Sequence, residues 1–190
     1  MTLARCSRRE ALAILLGSCA VATAHGAALP VNSVYQLDVP LTDHRGHEFR
    51  WPELRGWPLL VSMFYTSCDM VCPMIFETIA LTLAKAGAAG QGTKVLMVSF
   101  DPARDTVPVL QKAAAAHSVD ERWTLARADD ANARKIAALL GVQYRRLASG
   151  EFNHSSTLVL LDSEGRIGAR SNVLGRVDPA LLQVMQRMRA

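Results

Sequence analysis

No stretch of this 190-residue chain stays apolar for the roughly twenty residues that a membrane-spanning helix requires. The nearest candidate, Ala11 to Ala24, is shorter, so a permanent helical anchor is not expected from it. Internal repeats, low-complexity tracts and Gly/Ser/Pro-rich linkers are missing from Val31 onward, which argues against a solenoid or a string of domains. Charge is sparse: Asp, Glu, Lys and Arg make up 20% of the residues and the formal net charge is +4. Half of that excess sits in the first ten residues, where Arg5, Arg8 and Arg9 face a single Glu10. The remainder lacks the basic density on which nucleic-acid binding draws, so no nucleic acid is expected as a partner. Two further absences bear on chemistry. There is no Cys-x-x-Cys pair, and no proline falls between Pro108 and Pro179; both features are usual in metal-free dithiol oxidoreductases.

What is present suffices for one core. Hydrophobic residues make up 50% of a length that suits a single domain, placed here at residues 30–190. Residues 1–28 have the order of a cleaved export signal: a basic start, an apolar stretch and small residues around Thr23-Ala24-His25-Gly26-Ala27. Within it, Ser7-Arg8-Arg9-Glu10-Ala11-Leu12 resembles a twin-arginine signal, with Ala11 where a larger apolar residue is usual. Leu16-Gly17-Ser18-Cys19 loosely resembles a lipoprotein box cleaved before Cys19, which would give membrane association through a lipid anchor. Either route leads out of a bacterial cytoplasm to a periplasmic location, where disulfides persist.

The mature segment alternates strand and helix signals. Tyr35 to Leu41, the turn His44-Arg45-Gly46-His47 and a second extended piece predict an N-terminal hairpin. Trp57 to Tyr65 and Lys94 to Phe100 read as strands buried on both faces. Helices are expected over Met70–Ala86, Val107–His117 with Asp105 or Thr106 as its cap, Ala131–Leu140 stopped by Gly141, and Asp178–Met188. Trp123–Ala126, Thr157–Leu161 and Arg166–Ala169 supply further strands. The fold class that follows is α/β, a mixed sheet flanked by helices.

Of four cysteines, Cys6 and Cys19 fall in the leader, which leaves Cys68 and Cys72. These lie where a buried strand passes into a helix, and residues four apart share a helix face, so their sulfurs can pair or share a metal. Cα atoms one turn apart lie roughly 6 Å from each other, within disulfide range. The partial positive charge of a helix N-terminus favours thiolate, with Cys68 the more acidic and more exposed of the two. An inert structural disulfide is the plain alternative, but it would close almost no loop and so gain little.

Three stretches then stand in order: Phe64-Tyr65-Thr66-Ser67-Cys68-Asp69-Met70-Val71-Cys72-Pro73, Ser99-Phe100-Asp101-Pro102-Ala103-Arg104-Asp105-Thr106, and Asn153-His154-Ser155-Ser156-Thr157 followed by an apolar strand and Asp162-Ser163-Glu164-Gly165-Arg166. From about Val34 to Met188 the chain resembles the Sco/SenC family of copper proteins. The resemblance implies a thioredoxin-like fold with an inserted hairpin, in which Cys68, Cys72 and His154 bind a copper ion, Cu(I) or Cu(II). It also implies a role in maturing the copper centre of cytochrome c oxidase, by copper delivery, by reducing the target's cysteines, or both. The partners so implied are the oxidase's copper-bearing subunit or another copper chaperone. Two departures stand out: Asn153 replaces an acidic residue, and Asp69-Met70 replace Pro-Asp. Two thiolates and an imidazole suit a soft or borderline metal and disfavour calcium or magnesium; zinc also fits the donor set. Asp101 is expected either to adjust the metal site or meet the partner, or only to order its loop with Arg104. Met70 is expected to pack or to touch a partner. His44, His47 and His117 read as solvated, and Trp51, Trp57 and Trp123 as core or rim. The rival activity is a metal-independent thiol–disulfide oxidoreductase acting on a partner's cysteines; a peroxidase or a bland interaction domain has less in its favour.

Overall fold

The computed structural model describes residues 28–188 except Asp69. The leader, its Arg8-Arg9 pair and Cys19 lie outside the described residues. A seven-stranded sheet forms the centre. Its strands are β1 (Pro40–Asp43), β2 (Glu48–Arg50), β3 (Leu59–Phe64), β4 (Lys94–Ser99), β5 (Trp123–Arg127), β8 (Leu158–Leu161) and β9 (Ile167–Ser171), in the order β2-β1-β5-β4-β3-β8-β9. A separate two-stranded hairpin, β6 (Tyr144–Arg146) with β7 (Phe152–His154), stands outside it. The helices are α1 (Val71–Ala86), the short α2 (Ala88–Gln91), α3 (Val107–Ala116), α4 (Asp130–Leu140) and α5 (Pro179–Arg187).

The two near-continuous apolar runs become the central parallel pair β3 and β4, with every residue of β3 buried. Such strands need cover on both faces, and helices joining parallel neighbours supply it. α1 connects β3 to β4 and α3 connects β4 to β5. β8 runs antiparallel to β3 and β9 to β8, so the sheet is mixed as expected. Because β3 and β4 are parallel and in register from Leu59↔Lys94 to Phe64↔Ser99, their C-terminal ends stop side by side. That places the cysteine turn after β3 next to the loop that follows Ser99.

Local chemistry accounts for the boundaries. Asp129 accepts the Asn132 N–H at the start of α4, and Gly141, at φ 73°, ends it in the left-handed conformation open to glycine. The N-terminal hairpin is present as β1 and β2 around the 44–47 turn. The stretch before it differs from expectation. Val34–Gln36 forms a 3-10 turn, not a strand, because the Ser33 hydroxyl caps the Tyr35 N–H and Tyr35 is buried. His44 also differs: it is only 6% exposed, and its Nδ1 accepts the Leu125 N–H at 3.2 Å. His117 is half-buried and stacks on Phe76 with centroids 3.9 Å apart, whereas His47 does stand in solvent beside Asp43. Trp51 and Trp123 are core, and Trp57 is a rim residue under Lys94.

The N-terminal segment docks on the turn between β8 and β9. The Val34 N–H donates to the Gly165 carbonyl at 2.9 Å, and the Ser33 hydroxyl donates to the Glu164 carbonyl at 2.5 Å. Gly165 has φ 79°, and a Cβ there would lie 2.5 Å from the Tyr35 ring and 2.7 Å from the Ser33 oxygen. Gly165→Ala is therefore expected to cost about 1–3 kcal/mol, read as a lower urea midpoint at unchanged m-value.

Candidate metal centre

β3 ends at Phe64, and the chain then turns through Tyr65, Thr66 and Ser67 to reach Cys68 at the mouth of α1. The turn is fixed by a carboxylate from the neighbouring loop. Asp105 is wholly buried; it accepts the Thr66 N–H at 3.3 and 3.2 Å, the Thr66 hydroxyl, and the Ser99 hydroxyl at 2.5 Å. Burial raises the Asp105 pKa above the usual carboxylate range, against the hydrogen bonds from Ser99 and Thr66 that favour its ionised form.

Both cysteines are free thiols, Cys68 half-buried and Cys72 3% exposed. The Cys72 N–H donates to the Cys68 sulfur at 3.4 Å. Burial alone would raise the Cys68 pKa. The Cys72 N–H, the Cys72 thiol and the N–H groups of Met70 and Val71, all aimed at its sulfur, outweigh burial and hold the pKa below its ordinary value. Cys72 goes the other way: burial raises it strongly, and the nearby charges of Cys68 and Asp105 add to that. One acidic, reachable thiol thus sits above one that stays protonated.

The third member comes from the separate hairpin. His154 is the last residue of β7. One donor atom each from Cys68, Cys72 and His154 lies within 4.8 Å of the others, the one such group of three among the described residues. The Ser155 carbonyl lies 3.2 Å from Nδ1, where a ring N–H donates; this tautomer leaves the Nε2 lone pair free. Two thiols and one imidazole this close form a soft donor set with room for one ion drawn between them. The sulfurs also open on a cavity of about 350 Å³ lined by Thr66, Phe76, Lys112 and His117.

Asp101 is outside this trio. It is buried and paired with Arg104, whose Nη2 donates to the Gly150 carbonyl at 2.9 Å. Its contacts are therefore those of a residue ordering the loop, one step from the hairpin that carries His154. Met70 does not pack: 77% of it is exposed at the start of α1. Sequence reasoning overlooked Tyr65 and Glu151, joined by a 2.6 Å hydrogen bond, and gave Asp105 only a capping role. Their signal was present, since Tyr65 and Asp105 lie inside the motifs that carry the resemblance.

The thiol asymmetry has a measurable consequence. In the reduced, metal-free protein Cys68 is expected to react with iodoacetamide faster than Cys72. Its rate should persist as pH falls below about 8.5, where an ordinary cysteine slows. Mass spectrometry of the modified peptide reads both, and equal labelling of the two thiols would contradict the assignment.

The SCO1/SenC family model matches residues 30–188. Among solved structures, a SCO1/SenC family lipoprotein from Bacillus anthracis str. Ames superposes with a TM-score of 0.72 at 20% identity, covering 85% of this chain and 99% of that one. Bradyrhizobium japonicum ScoI with copper bound gives 0.68 at 24% identity, covering 80% and 98%. BsSco, a member of the Sco family of cytochrome c oxidase assembly proteins in which a disulfide switch was identified, gives 0.67 at 16% identity, covering 84% and 97%. No curated protein sequence matches significantly. At these identities the structures establish a shared thioredoxin-like fold, and the family match spans nearly the whole described domain: the chain belongs to the SCO1/SenC family.

Proposed function

We propose that this protein is a metallochaperone that binds one copper ion through Cys68, Cys72 and His154 and assists assembly of the copper centre of cytochrome c oxidase. The observation that carries the reading is the convergence of three soft and borderline donor atoms, two from the cysteine turn at the start of α1 and one from the β6–β7 hairpin, within 4.8 Å. The copper held by Bradyrhizobium japonicum ScoI and the oxidase-assembly role of the family of BsSco support it. The leader supports export to the periplasm, and the lipoprotein relative supports attachment through a lipidated Cys19. No helix among the described residues is long and apolar enough to cross a membrane.

Binding and redox state are coupled through the same two sulfurs. A metal is held by thiolates, so joining Cys68 to Cys72 withdraws both donors at once. The joining step is an exchange. The Cys68 thiolate attacks a partner disulfide, one partner thiolate leaves, and Cys72 displaces the other. The partner gains two thiols while this chain gains one disulfide. That exchange is also the content of the second reading, a metal-independent thiol–disulfide oxidoreductase. The acidic, reachable Cys68 above the buried Cys72 favours it, since attacking and resolving thiols differ in this way.

Titration of the reduced domain with copper is expected to saturate at one ion per chain. Cys68→Ser should weaken binding by more than the roughly 10–100-fold typical of losses outside the ligand set. Unchanged affinity in Cys68→Ser or His154→Ala would remove that residue from the set, and reduction of a model disulfide at full rate without copper would favour the second reading. Replacing Arg8 and Arg9 by lysine should block export if the twin-arginine signal operates, with cell fractionation as the measurement.

A further inference from the structure

His154 stands on a hairpin that has no strand pairing with the main sheet. A two-stranded hairpin is marginal by itself, and each strand here is three residues long. Its placement against the cysteine turn must come from side chains. Rings of Tyr144 and Phe152 pack on Phe100 at 4.8 and 5.1 Å, which is apolar contact with little directional demand. Direction enters at the tip. The Tyr65 hydroxyl donates to Glu151 Oε2 at 2.6 Å, and the Arg104 guanidinium, held by Asp101, donates to the Gly150 carbonyl at 2.9 Å. The same Tyr65 ring meets the His154 ring edge to face, with centroids 5.9 Å apart and planes at 89°, and meets Phe152 at 5.1 Å.

Tyr65 is three residues before Cys68 and Arg104 one before Asp105, so both fasteners come from the loops that form the cysteine turn. We propose that Tyr65 and Glu151, braced by Arg104 on Gly150, form a clasp that positions His154 over the sulfurs. With the clasp closed the imidazole faces Cys68 and Cys72; with it open the hairpin leaves the C-terminal ends of β3 and β4 and carries the third donor away, while the two thiols stay at the start of α1. Tyr65, Glu151 and Arg104 are positioning residues and touch no ion themselves. The proposal deepens the copper reading and, for its metal-dependent part, rests on it.

Amide hydrogen exchange on the reduced, metal-free full chain tests the clasp without any metal. Tyr65→Phe keeps the ring and removes the hydroxyl; it is expected to speed exchange over residues 145–154 by roughly 10-fold or more, the effect of losing one hydrogen bond to a charged group. Exchange in β3 and β4 should not change. Glu151→Gln keeps an acceptor oxygen for the Tyr65 hydroxyl and should retain most of the wild-type protection, while Arg104→Ala should open the hairpin independently. Unchanged exchange in both Tyr65→Phe and Arg104→Ala would overturn the clasp. Copper titration supplies the second arm. Tyr65→Phe should weaken binding, yet Tyr65→Phe combined with His154→Ala should bind no more weakly than His154→Ala alone, because Tyr65 acts through that histidine. Additive losses would overturn the positioning role. If the wild type binds no copper, the ligand reading fails, and the exchange result still decides the clasp.

Discussion

The buried carboxylate of Asp105 is the contact on which the site depends. β3 and β4 deliver two chain ends side by side, but neither end has a ladder partner beyond Phe64 and Ser99. One side chain closes that gap by taking hydrogen bonds from Ser99 on one strand and from the Thr66 backbone and hydroxyl on the next. An uncompensated buried carboxylate would be costly, and the donors offset that cost only if the turn keeps its shape. The position of Cys68, two residues after Thr66, is therefore set by the interior of the protein rather than by the surface of α1.

From that point the two cysteines diverge although they sit one helical turn apart. Cys68 lies where the N–H groups of Met70, Val71 and Cys72 converge, and Cys72 lies one turn further in, against the Tyr65 backbone and near Asp105. The same helix start thus makes one thiol acidic and leaves the other protonated. The pair suits either an ion, which draws both protons off, or an exchange reaction, which needs one attacking and one waiting sulfur. Geometry alone favours the ion, because His154 completes a donor set for which exchange has no use.

The elements legible in the sequence are those whose signals are local. The apolar runs of β3 and β4, the alanine-rich periodicity of α1 and the Asp129 and Gly141 caps of α4 are written in consecutive residues. The cysteine spacing showed where chemistry sits, and the resemblance supplied His154. The position of the β6–β7 hairpin was not legible in the residues, since strands of three residues such as Tyr144-Arg145-Arg146 are too short to display a period and carry arginines where a strand pattern wants apolar residues. His44 looks solvated because its partner, Leu125, is 81 residues away. Asp105 looks like a helix cap for the same reason, its partner Thr66 being 39 residues distant. Tyr35 failed differently: weak alternation resembles a strand, but a single serine hydroxyl next to it turns the backbone.

The docking of Ser33 and Val34 on the Gly165 turn also fixes which way the molecule faces. Leu59, at the start of β3, pairs with Leu161 just before that turn, whereas the cysteines follow Phe64 at the other end of the strand. At about 3.3 Å per residue, the six residues of β3 separate the two poles by roughly 17–20 Å. The N-terminal segment at Ser33 and Val34 is therefore anchored at the pole opposite the sulfurs. The donor atoms stand at the far end of the sheet from this docking, so a change in how Ser33 and Val34 seat on the Gly165 turn need not disturb them.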